Sequence, residues 1–536
     1  MAACKRPVSF FPSAVSYLVV GLSMLLWLVG TWHSAREGRH FTSDSVAYIQ
    51  CARHILSGHG FQIVPVAWNA VHDSEPIRLW PPGYSTAIAL LSYFGLPDWD
   101  AAVLVNWLAF TISLAIVAWV FISWFPITLA GPLVISAGAL TKVWATSTMA
   151  WTEGGFTLFT VLAFLFLART ADNRWQSLGA VLSGTFAGLA FCFRNAGLAF
   201  FPSALLTCLS RRPFSQGIRL SLWFCVGALA GCGWLIGWNI ATFGKLLPYE
   251  MPPSDLGLLD NIRHSVRALI GLFIPGWYKV RFIFGLVLVI WLVVVWLAVE
   301  VLAKRGTRFL LPQSPNSTAV ISRDAAKFLG FFLPLYVLQI VVARTRYFWG
   351  EIINFRHFVP IAWLVLIAVG LLATEIFRSR FSEKGKVFLA GLILTGVYGF
   401  LVQHVAFAVR EVIRPIKPVE RILIDAARQM DGLLPSGRLL GDGTARIYLS
   451  IFAKREVRYA PRITRRELTL DEAGLLWAAR NGWFTAVVMT DLHQEEISQG
   501  VYGEGFADLQ RLTESNNRWV VISVGPFKAF IPKPDN

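Results

Sequence analysis

Long uninterrupted runs of apolar residues limit the fold of this chain more than any other feature. A membrane-spanning helix needs about 20 consecutive apolar residues, and segments such as 101–123, 220–241 and 387–409 reach that length. Charged residues make up only 15% of the sequence, against roughly 25% in soluble domains. A soluble fold is therefore excluded, and the sequence predicts a polytopic α-helical membrane protein.

About eleven spans are predicted from these runs. They cover 14–30, 101–123, 127–143, 156–168, 178–193, 196–209, 220–241, 282–303, 328–343, 358–377 and 387–409. Segment 86–96 is too short to cross, and we expect it to lie at the outer surface as a short re-entrant helix.

The distribution of positive charge orients the chain. Lys5 and Arg6 place the N-terminus in the cytoplasm, and the arginine-rich segments then also fall inside, as the positive-inside rule requires. The predicted outer loops are 31–100, 144–155, 194–195, 242–281 and 344–357. With an odd number of spans, the C-terminus lies outside.

The composition changes near residue 411. Residues 1–410 form the predicted membrane domain with its large first outer loop, and residues 411–536 read as a soluble extracytoplasmic α/β domain. Helical apolar spacing occurs at 420–430, and strand patterns occur at 438–441, 484–489 and 519–524.

The formal charge of +16 indicates anionic partners. Membrane lipids with phosphate headgroups are the nearest candidates. Nucleic acid is not expected as a partner, because the basic residues are scattered among loops and form no stripe. The six cysteines show neither zinc-site spacing nor a disulfide framework.

Asp44 is the first candidate for catalysis. It lies in the long polar interval 40–85, just after the first span and at the start of an amphipathic segment. A carboxylate at the outer mouth of a helix bundle can accept a proton from an attacking hydroxyl or amine. The alternative is that Asp44 caps the helix that follows, because Asp is a favoured N-cap residue.

Glu153 is the second candidate, at the outer start of the span 156–168. An ionisable group at that depth is costly and indicates function, although an interface residue that reaches water explains it equally well. His72, Asp73 and Glu75 match no standard metal site, so a divalent metal is possible but not favoured.

Basic residues in the outer loops run against the positive-inside bias and call for an anionic ligand. Arginine suits this task because its planar guanidinium binds phosphate through two hydrogen bonds. For any single residue, pairing with Glu351, Asp255 or Asp260, or with lipid headgroups, is the competing explanation. The set is Arg194, Lys279, Arg281, Arg344, Arg346, Arg356 and His357.

Four stretches in this order carry a resemblance to a known family. The first is Asp44-Ser45-Val46-Ala47-Tyr48 followed by Ala52-Arg53 and Gly58-His59-Gly60-Phe61. The other three are Trp80-Pro81-Pro82-Gly83-Tyr84-Ser85, Thr152-Glu153-Gly154 and Asn354-Phe355-Arg356-His357-Phe358-Val359-Pro360. The chain resembles the integral-membrane glycosyltransferases of the GT-C fold. More narrowly, it is similar to the bacterial branch related to protein O-mannosyltransferases and aminoarabinose transferases.

The resemblance implies transfer of a sugar from a polyprenyl-phosphate carrier to a lipid, glycan or protein acceptor at the outer face of a bacterial inner membrane. Asp44 would be the base of an inverting displacement, and Tyr84 would be a substrate contact. His357 stands where the family has Tyr, which puts its phosphate-binding role in doubt. Relatives that depend on a metal use further acids in the outer loops, and the sequence shows no second acid near Asp44, so a metal is not favoured. The alternative class is a transporter or lipid-handling protein, which would carry ionisable groups near mid-membrane.

Overall fold

The structure is a computed structural model that describes most of the chain. The described residues are 14–37, 40–65, 72–170, 176–274, 316–347, 352–378, 383–414, 419–459, 477–490 and 518–533. The predicted span 282–303 lies outside these residues, as do Lys279, Arg281 and Glu351.

The part up to residue 414 is helical. Its helices are α1 Ala14–Glu37, α2 Ser43–Leu56, α3 Gly83–Tyr93, α4 Asp98–Trp124, α5 Ile127–Gly138, α6 Thr141–Ser147, α7 Glu153–Arg169, α8 Gln176–Phe193, α9 Phe200–Leu209, α10 Phe214–Phe243, α11 Leu258–Phe273, α12 Asn316–Arg346, α13 Ala362–Arg378 and α14 Glu383–Ile413. Short 3₁₀ helices connect some of them within the described residues, and these are Asn195–Ala199, Phe355–His357 and Val359–Ile361.

Within the described residues, seven helices are long and apolar enough to cross a membrane. They lie in α1, α4, α8, α10, α12, α14 and the segment Phe355–Thr374. Helices α5 and α6 meet at a bend of 46° and make an eighth if they form one span. The chain is therefore a multi-pass membrane protein.

Three of the predicted spans do not correspond to a single long helix in the described structure. The span 196–209 is a short apolar helix, 156–168 lies in the 17-residue helix α7, and 127–143 is the bent pair. Helix α3 has 11 residues, which is too short to cross, as expected for segment 86–96. The count of eleven stays a prediction.

Helices α8 and α10 pack backbone to backbone. A Cβ atom at Gly184 would collide with the carbonyl of Phe224, and one at Gly231 would collide with the carbonyl of Thr185. Glycines four residues apart on both helices permit this contact, as is typical of membrane helix pairs. The close crossing fixes the end of α8, and with it the position of Arg194.

The predicted first outer loop folds against the end of the bundle. Helix α2 packs on α3, and between them the strands β1 Gln62–Ile63 and β2 Glu75–Pro76 form a short antiparallel pair. Helix α2 is amphipathic, and the side chains from Ser45 to Ala52 are buried.

Among the described residues after 419, five strands form one sheet. Its strands are β3 Leu439–Gly441, β4 Val457–Tyr459, β5 Ala486–Thr490, β6 Trp519–Val524 and β7 Phe527–Pro532, in the order β4-β3-β5-β7-β6. Strand β3 runs parallel to β4 and β5, whereas β7 is antiparallel to β5 and β6. We call these strands, with helices α15 Val419–Asp431 and α16 Gly443–Phe452, the C-terminal sheet unit.

The strands predicted at 438–441, 484–489 and 519–524 match β3, β5 and β6 closely. Asp442 caps α16, because its Oδ1 accepts from the backbone N–H of Ala445 at 2.6 Å. Its Oδ2 accepts from the backbone N–H of Thr490 at 2.6 Å. Asp442 thus holds the strand-to-helix turn that joins β3 to α16.

Candidate active site

Four charged side chains from separate segments meet at one end of the helix bundle. Asp44 lies in the first turn of α2, and Glu153 is the first residue of α7. Arg194 follows the end of α8, and Arg356 lies in the 3₁₀ helix Phe355–His357. Asp44 and Arg356 are in direct contact although 312 positions separate them in the chain. The sequence assigns all four to outer loops, and the structure brings them together.

Arg356 lies at the centre of this cluster. Its Nη2 donates to Oδ2 of Asp44 at 2.7 Å, and its Nε donates to Oε1 of Glu153 at 2.7 Å. The guanidinium carbon lies 3.8 Å from the ring centroid of Trp151, which is a close cation–π contact. The guanidinium is therefore fixed between two carboxylates and an indole face.

The local turn around Arg356 is held by its own sequence motif. The Asn354 side chain accepts from the backbone N–H of Arg356 at 3.0 Å and caps the 3₁₀ helix. Tyr336 donates to the carbonyl of His357 at 2.8 Å, which ties the turn to α12. These contacts leave the backbone of the turn little freedom.

Glu153 is a fully buried counter-charge. Its Oε1 accepts from both Arg194 and Arg356, and its side chain has no exposed surface. Two guanidinium groups compensate the cost of burying this carboxylate. Its Oε2 has no hydrogen-bond partner among the residues that the structure describes. Glu153 thus binds both arginines and is not among the residues that line the cavity described below, and its catalytic role stays a prediction.

Asp44 has a different environment. Its side chain is 23% exposed and lines a cavity. The N-cap of α2 is Thr42, and Ser45 Oγ accepts from the backbone N–H of Thr42 at 3.0 Å. Asp44 lies inside the first turn, so the interpretation of Asp44 as the helix cap is wrong. The carboxylate instead accepts from Arg356 and faces open space.

The cavity has a volume of about 340 Å³. It combines charged groups on one side with aromatic and apolar side chains on the other, as small-molecule sites do. The lining residues are Asp44, Tyr48, Leu79, Trp80, Pro81, Thr152, Phe193, Arg194, Asn195, Ala196, Leu247, Tyr249, Met251, Gln339, Ile340, Ala343, Tyr347, Arg356 and His357.

A buried asparagine positions Glu153. Asn106 of α4 donates to the carbonyls of Thr146 and Met149 at 2.7 and 2.8 Å. Its Oδ1 accepts from the backbone N–H of Gly154 at 2.6 Å. A Cβ atom at Gly154 would collide with Asn106, so glycine is required next to Glu153. The segment that leads into α7 is thus attached to α4.

Tyr48 lies one turn after Asp44 on α2 and lines the same cavity. Burial and the neighbouring Asp44 carboxylate raise the pKa of Tyr48 well above its usual value, so its hydroxyl stays neutral. The sequence predicts Tyr84 as a substrate contact, but Tyr84 does not line the cavity. Its ring lies 5.1 Å from that of Tyr48, and its hydroxyl donates to the carbonyl of Ala102 at 2.6 Å. Tyr84 therefore supports Tyr48 from behind.

The predicted anion-binding residues separate into two groups. Arg194, Arg356 and His357 line the cavity. Arg344 does not line the cavity. Its Nη2 donates to Asp255 at 2.8 Å, and pairing with Asp255 was the alternative to anion binding. Arg346 is exposed at the end of α12, with its guanidinium 5.7 Å from the Tyr347 ring centroid. Lys279 and Arg281 belong to the undescribed part of the chain.

A guanidinium group lies between the carboxylates of Asp44 and Glu153. Both carboxylates already bind the guanidinium of Arg356, which occupies the place of a cation between them. Among the described residues, no group of three or more His, Cys, Asp or Glu side chains is placed to hold a metal ion.

Sequence reasoning missed the residues that support the charged cluster. Trp151 stands two positions before Glu153 and Asn354 two before Arg356, so the motifs themselves pointed to both. Asn106 gave one usable signal, since an amide inside an apolar run needs hydrogen-bond partners. Tyr249 and Met251 lie in the predicted outer loop 242–281, in which only the basic residues Lys279 and Arg281 were singled out as site residues.

No protein-family model matches the sequence, and no curated protein matches it. Among solved structures, the chain is similar to ArnT from Cupriavidus metallidurans bound to undecaprenyl phosphate, at 14% identity and a TM-score of 0.50, covering 97% of this chain and 98% of that one. An oligosaccharyltransferase from Archaeoglobus fulgidus in the apo form has 12% identity and a TM-score of 0.46, covering 97% and 74%. The arabinofuranosyltransferase AftD from Mycobacteria has 11% identity and a TM-score of 0.47, covering 98% and 42%.

The similarity to ArnT extends over nearly the full length of both chains. At this level of identity it shows the fold, and that fold is the GT-C fold predicted from the four motifs. The chain is therefore a multi-pass membrane protein of the GT-C fold.

Proposed function

We propose that this protein is a glycosyltransferase that moves a sugar from a polyprenyl-phosphate carrier to an acceptor. The observation that carries the proposal is the cavity in which a carboxylate, Asp44, faces the same space as two guanidinium groups, Arg194 and Arg356. Proton removal and stabilisation of a phosphate leaving group need these two kinds of group side by side.

The reaction is a single displacement with inversion at the anomeric carbon. The acceptor hydroxyl or amine attacks that carbon, and Asp44 takes the acceptor's proton. The bond from the anomeric carbon to the phosphate oxygen breaks, and its electron pair leaves with the polyprenyl phosphate. Arg356 binds Oδ2 of Asp44, so we assign the proton to Oδ1.

The leaving phosphate gains one negative charge in this step. Arg194 and Arg356 are largely buried, with 17% and 12% of their side chains exposed. Fixed cations in a site that excludes most water stabilise such charge strongly. Because Arg356 supplies the cation between Asp44 and Glu153, we propose that the reaction needs no metal.

An apolar groove next to the cavity suits the carrier's tail. It has a volume of about 820 Å³ and is lined by apolar side chains of α11, α12 and the segment leading into α13. Ile340 of α12 lines the cavity, whereas Leu338 and Val341 line the groove. Helix α12 therefore contributes side chains to both the charged cavity and the apolar groove, so the two parts of an amphiphilic donor can contact the same helix.

The similarity to ArnT, whose structure holds undecaprenyl phosphate, supports a carrier of this class. We place the protein in a bacterial inner membrane with eleven spans, a cytoplasmic N-terminus and the cavity at the outer face. Residues 411–536 then form an extracytoplasmic α/β domain that follows the membrane domain 1–410.

The test is mass spectrometry of the glycolipids and glycans of cells that carry the wild-type gene or the Asp44→Asn variant. A transferase predicts that the variant loses a product that differs from its acceptor by one sugar and accumulates the polyprenyl-phosphate sugar. A transporter or lipid-handling protein predicts the same products in both strains, and that outcome would refute the proposal.

A further inference from the structure

The helix that carries Asp44 is anchored at its other end by a single arginine. Arg53 lies nine residues after Asp44 in the last turn of α2, about 13 Å further along the helix axis. Its side chain is 23% exposed, and it does not line the cavity. The functional cluster described above therefore does not include it.

Arg53 joins three separate parts of the chain. Its Nε donates to Oδ2 of Asp98, in the first turn of α4, at 2.5 Å. Its Nη1 and Nη2 donate to the backbone carbonyls of Ser450 and Ile451, each at 2.7 Å. These carbonyls belong to the last turn of α16, where carbonyls lack partners within the helix.

Two neighbouring groups favour a cation at the position of Arg53. The carboxyl end of a helix carries partial negative charge, so a guanidinium stabilises it. Asp98 adds a full negative charge on the other side. Few side chains other than arginine offer donors to both partners in one plane. Arg53 is thus a cap of α16 supplied by α2.

The C-terminal sheet unit also contacts the residues just before α2. The backbone N–H of His40, just before α2, donates to Glu420 of α15 at 3.0 Å. Phe452 at the end of α16 packs edge-on against Phe41, with ring centroids 5.4 Å apart. Both contacts lie at the start of α2, close to Asp44.

The loop that follows α2 is also held by the sheet unit. Arg438 donates to Asp73 at 2.7 Å, and the buried Arg458 donates to the carbonyl of His72 at 3.0 Å. The unit therefore contacts the first outer loop before α2, at its end and beyond it. Contacts spread in this way restrict both the tilt and the rotation of the helix.

We infer that the C-terminal sheet unit positions α2 for catalysis and that Arg53 is the positioning residue that connects them. The structural half of this inference concerns the docking of α2 and needs no assumption about the reaction. The catalytic half rests on the proposed function, because it requires Asp44 to act in transfer.

The structural half is tested by hydrogen exchange of the full chain in nanodiscs. In Arg53→Ala, the amides in the last two turns of α2 should exchange roughly 10- to 100-fold faster, because local opening no longer breaks hydrogen bonds to a charged group. Arg414→Ala is the matched control, since Arg414 is 66% exposed and pairs with Glu411 one turn away. Equal exchange in Arg53→Ala and wild type would overturn the inference.

The catalytic half is tested by measuring kcat and the affinity for undecaprenyl phosphate separately. Arg53→Ala should lower kcat at least about tenfold and leave the affinity for undecaprenyl phosphate within about twofold, because the phosphate contacts remain. Arg53→Lys keeps the charge and should recover part of kcat. If Arg53→Ala does not fold, the exchange and the kinetic measurements are made on Arg53→Lys instead.

The outcomes separate this inference from the proposed function. Faster exchange with an unchanged kcat would overturn the positioning role while transfer stands. An inactive wild type would refute the proposed function, and the exchange result would still decide whether Arg53 docks α2.

Discussion

Replacing Arg356 by glutamine removes the cation that lies between the two carboxylates of the site. Arg356 donates to Asp44 and Glu153, each at 2.7 Å, and stacks on Trp151. Glutamine keeps much of the side chain's volume but has neither the charge nor the fork of donors. Glu153 retains its contact with Arg194, so we expect the variant to fold.

The expected loss follows from the burial of the guanidinium. A hydrogen bond to a charged group contributes about 1.5–3 kcal/mol, and the side chain is only 12% exposed, so solvent screens it little. A positioned donor that stabilises developing charge contributes roughly 10²- to 10³-fold in rate. We therefore predict that Arg356→Gln lowers kcat/KM by roughly 10²- to 10³-fold, or about 3–4 kcal/mol.

The assay supplies the purified protein in nanodiscs with a polyprenyl-phosphate sugar and with a total cell-envelope extract as the source of acceptor, and it measures the polyprenyl phosphate released as the sugar is transferred. Arg356→Lys should recover no more than about tenfold, because an ammonium group lacks the planar fork that reaches both carboxylates. Arg414→Gln is the control for the loss of an exposed arginine. If Arg356→Gln and Arg414→Gln both stay within about threefold of wild type, the assigned role of Arg356 is refuted.

Three further predictions follow from the contacts of the scaffold. Asn106→Ala leaves buried carbonyls without donors and should lower the free energy of unfolding by about 1–3 kcal/mol, measured as a lower thermal midpoint. An unchanged midpoint and an unchanged transfer rate would contradict the positioning role of Asn106. Gly231→Leu should destabilise by at least about 1–3 kcal/mol through overpacking of α10 against α8; the control Gly233→Leu, where an added Cβ atom meets nothing within 4 Å, should not. In a cysteine-free background, an impermeant reagent should label Leu433→Cys from outside and not Arg212→Cys, and the reverse pattern would overturn the orientation.

The sequence was sufficient to predict the helical membrane fold and the residues at the centre of the site. Apolar run length follows directly from bilayer thickness, so the long spans were readable. Asp44, Glu153, Arg194 and Arg356 were each found because a charge stands out at the edge of an apolar run. Their direct contact was not predictable, because it depends on how distant helices pack.

The predicted residues that do not line the cavity show where such reasoning stops. Arg344 and Arg194 are both arginines in predicted outer loops, and nothing in the sequence reveals that one faces Asp255 and the other faces the cavity. Tyr84 belongs to a matching motif but lies one layer behind Tyr48. The side that a residue presents to a cavity is set by helix rotation in the packed bundle, which apolar patterning fixes only approximately.

The role of Asp44 as the base of a sugar transfer is tested most directly by the turnover of Asp44→Asn. The cap of α2 is Thr42, and Asn has nearly the size of Asp, so the helix and donor binding should stay intact. We predict a rate loss of roughly 10²- to 10⁴-fold, the usual contribution of a positioned base, with unchanged affinity for undecaprenyl phosphate. An Asp44→Asn protein that binds the donor and releases polyprenyl phosphate at the wild-type rate would contradict this account.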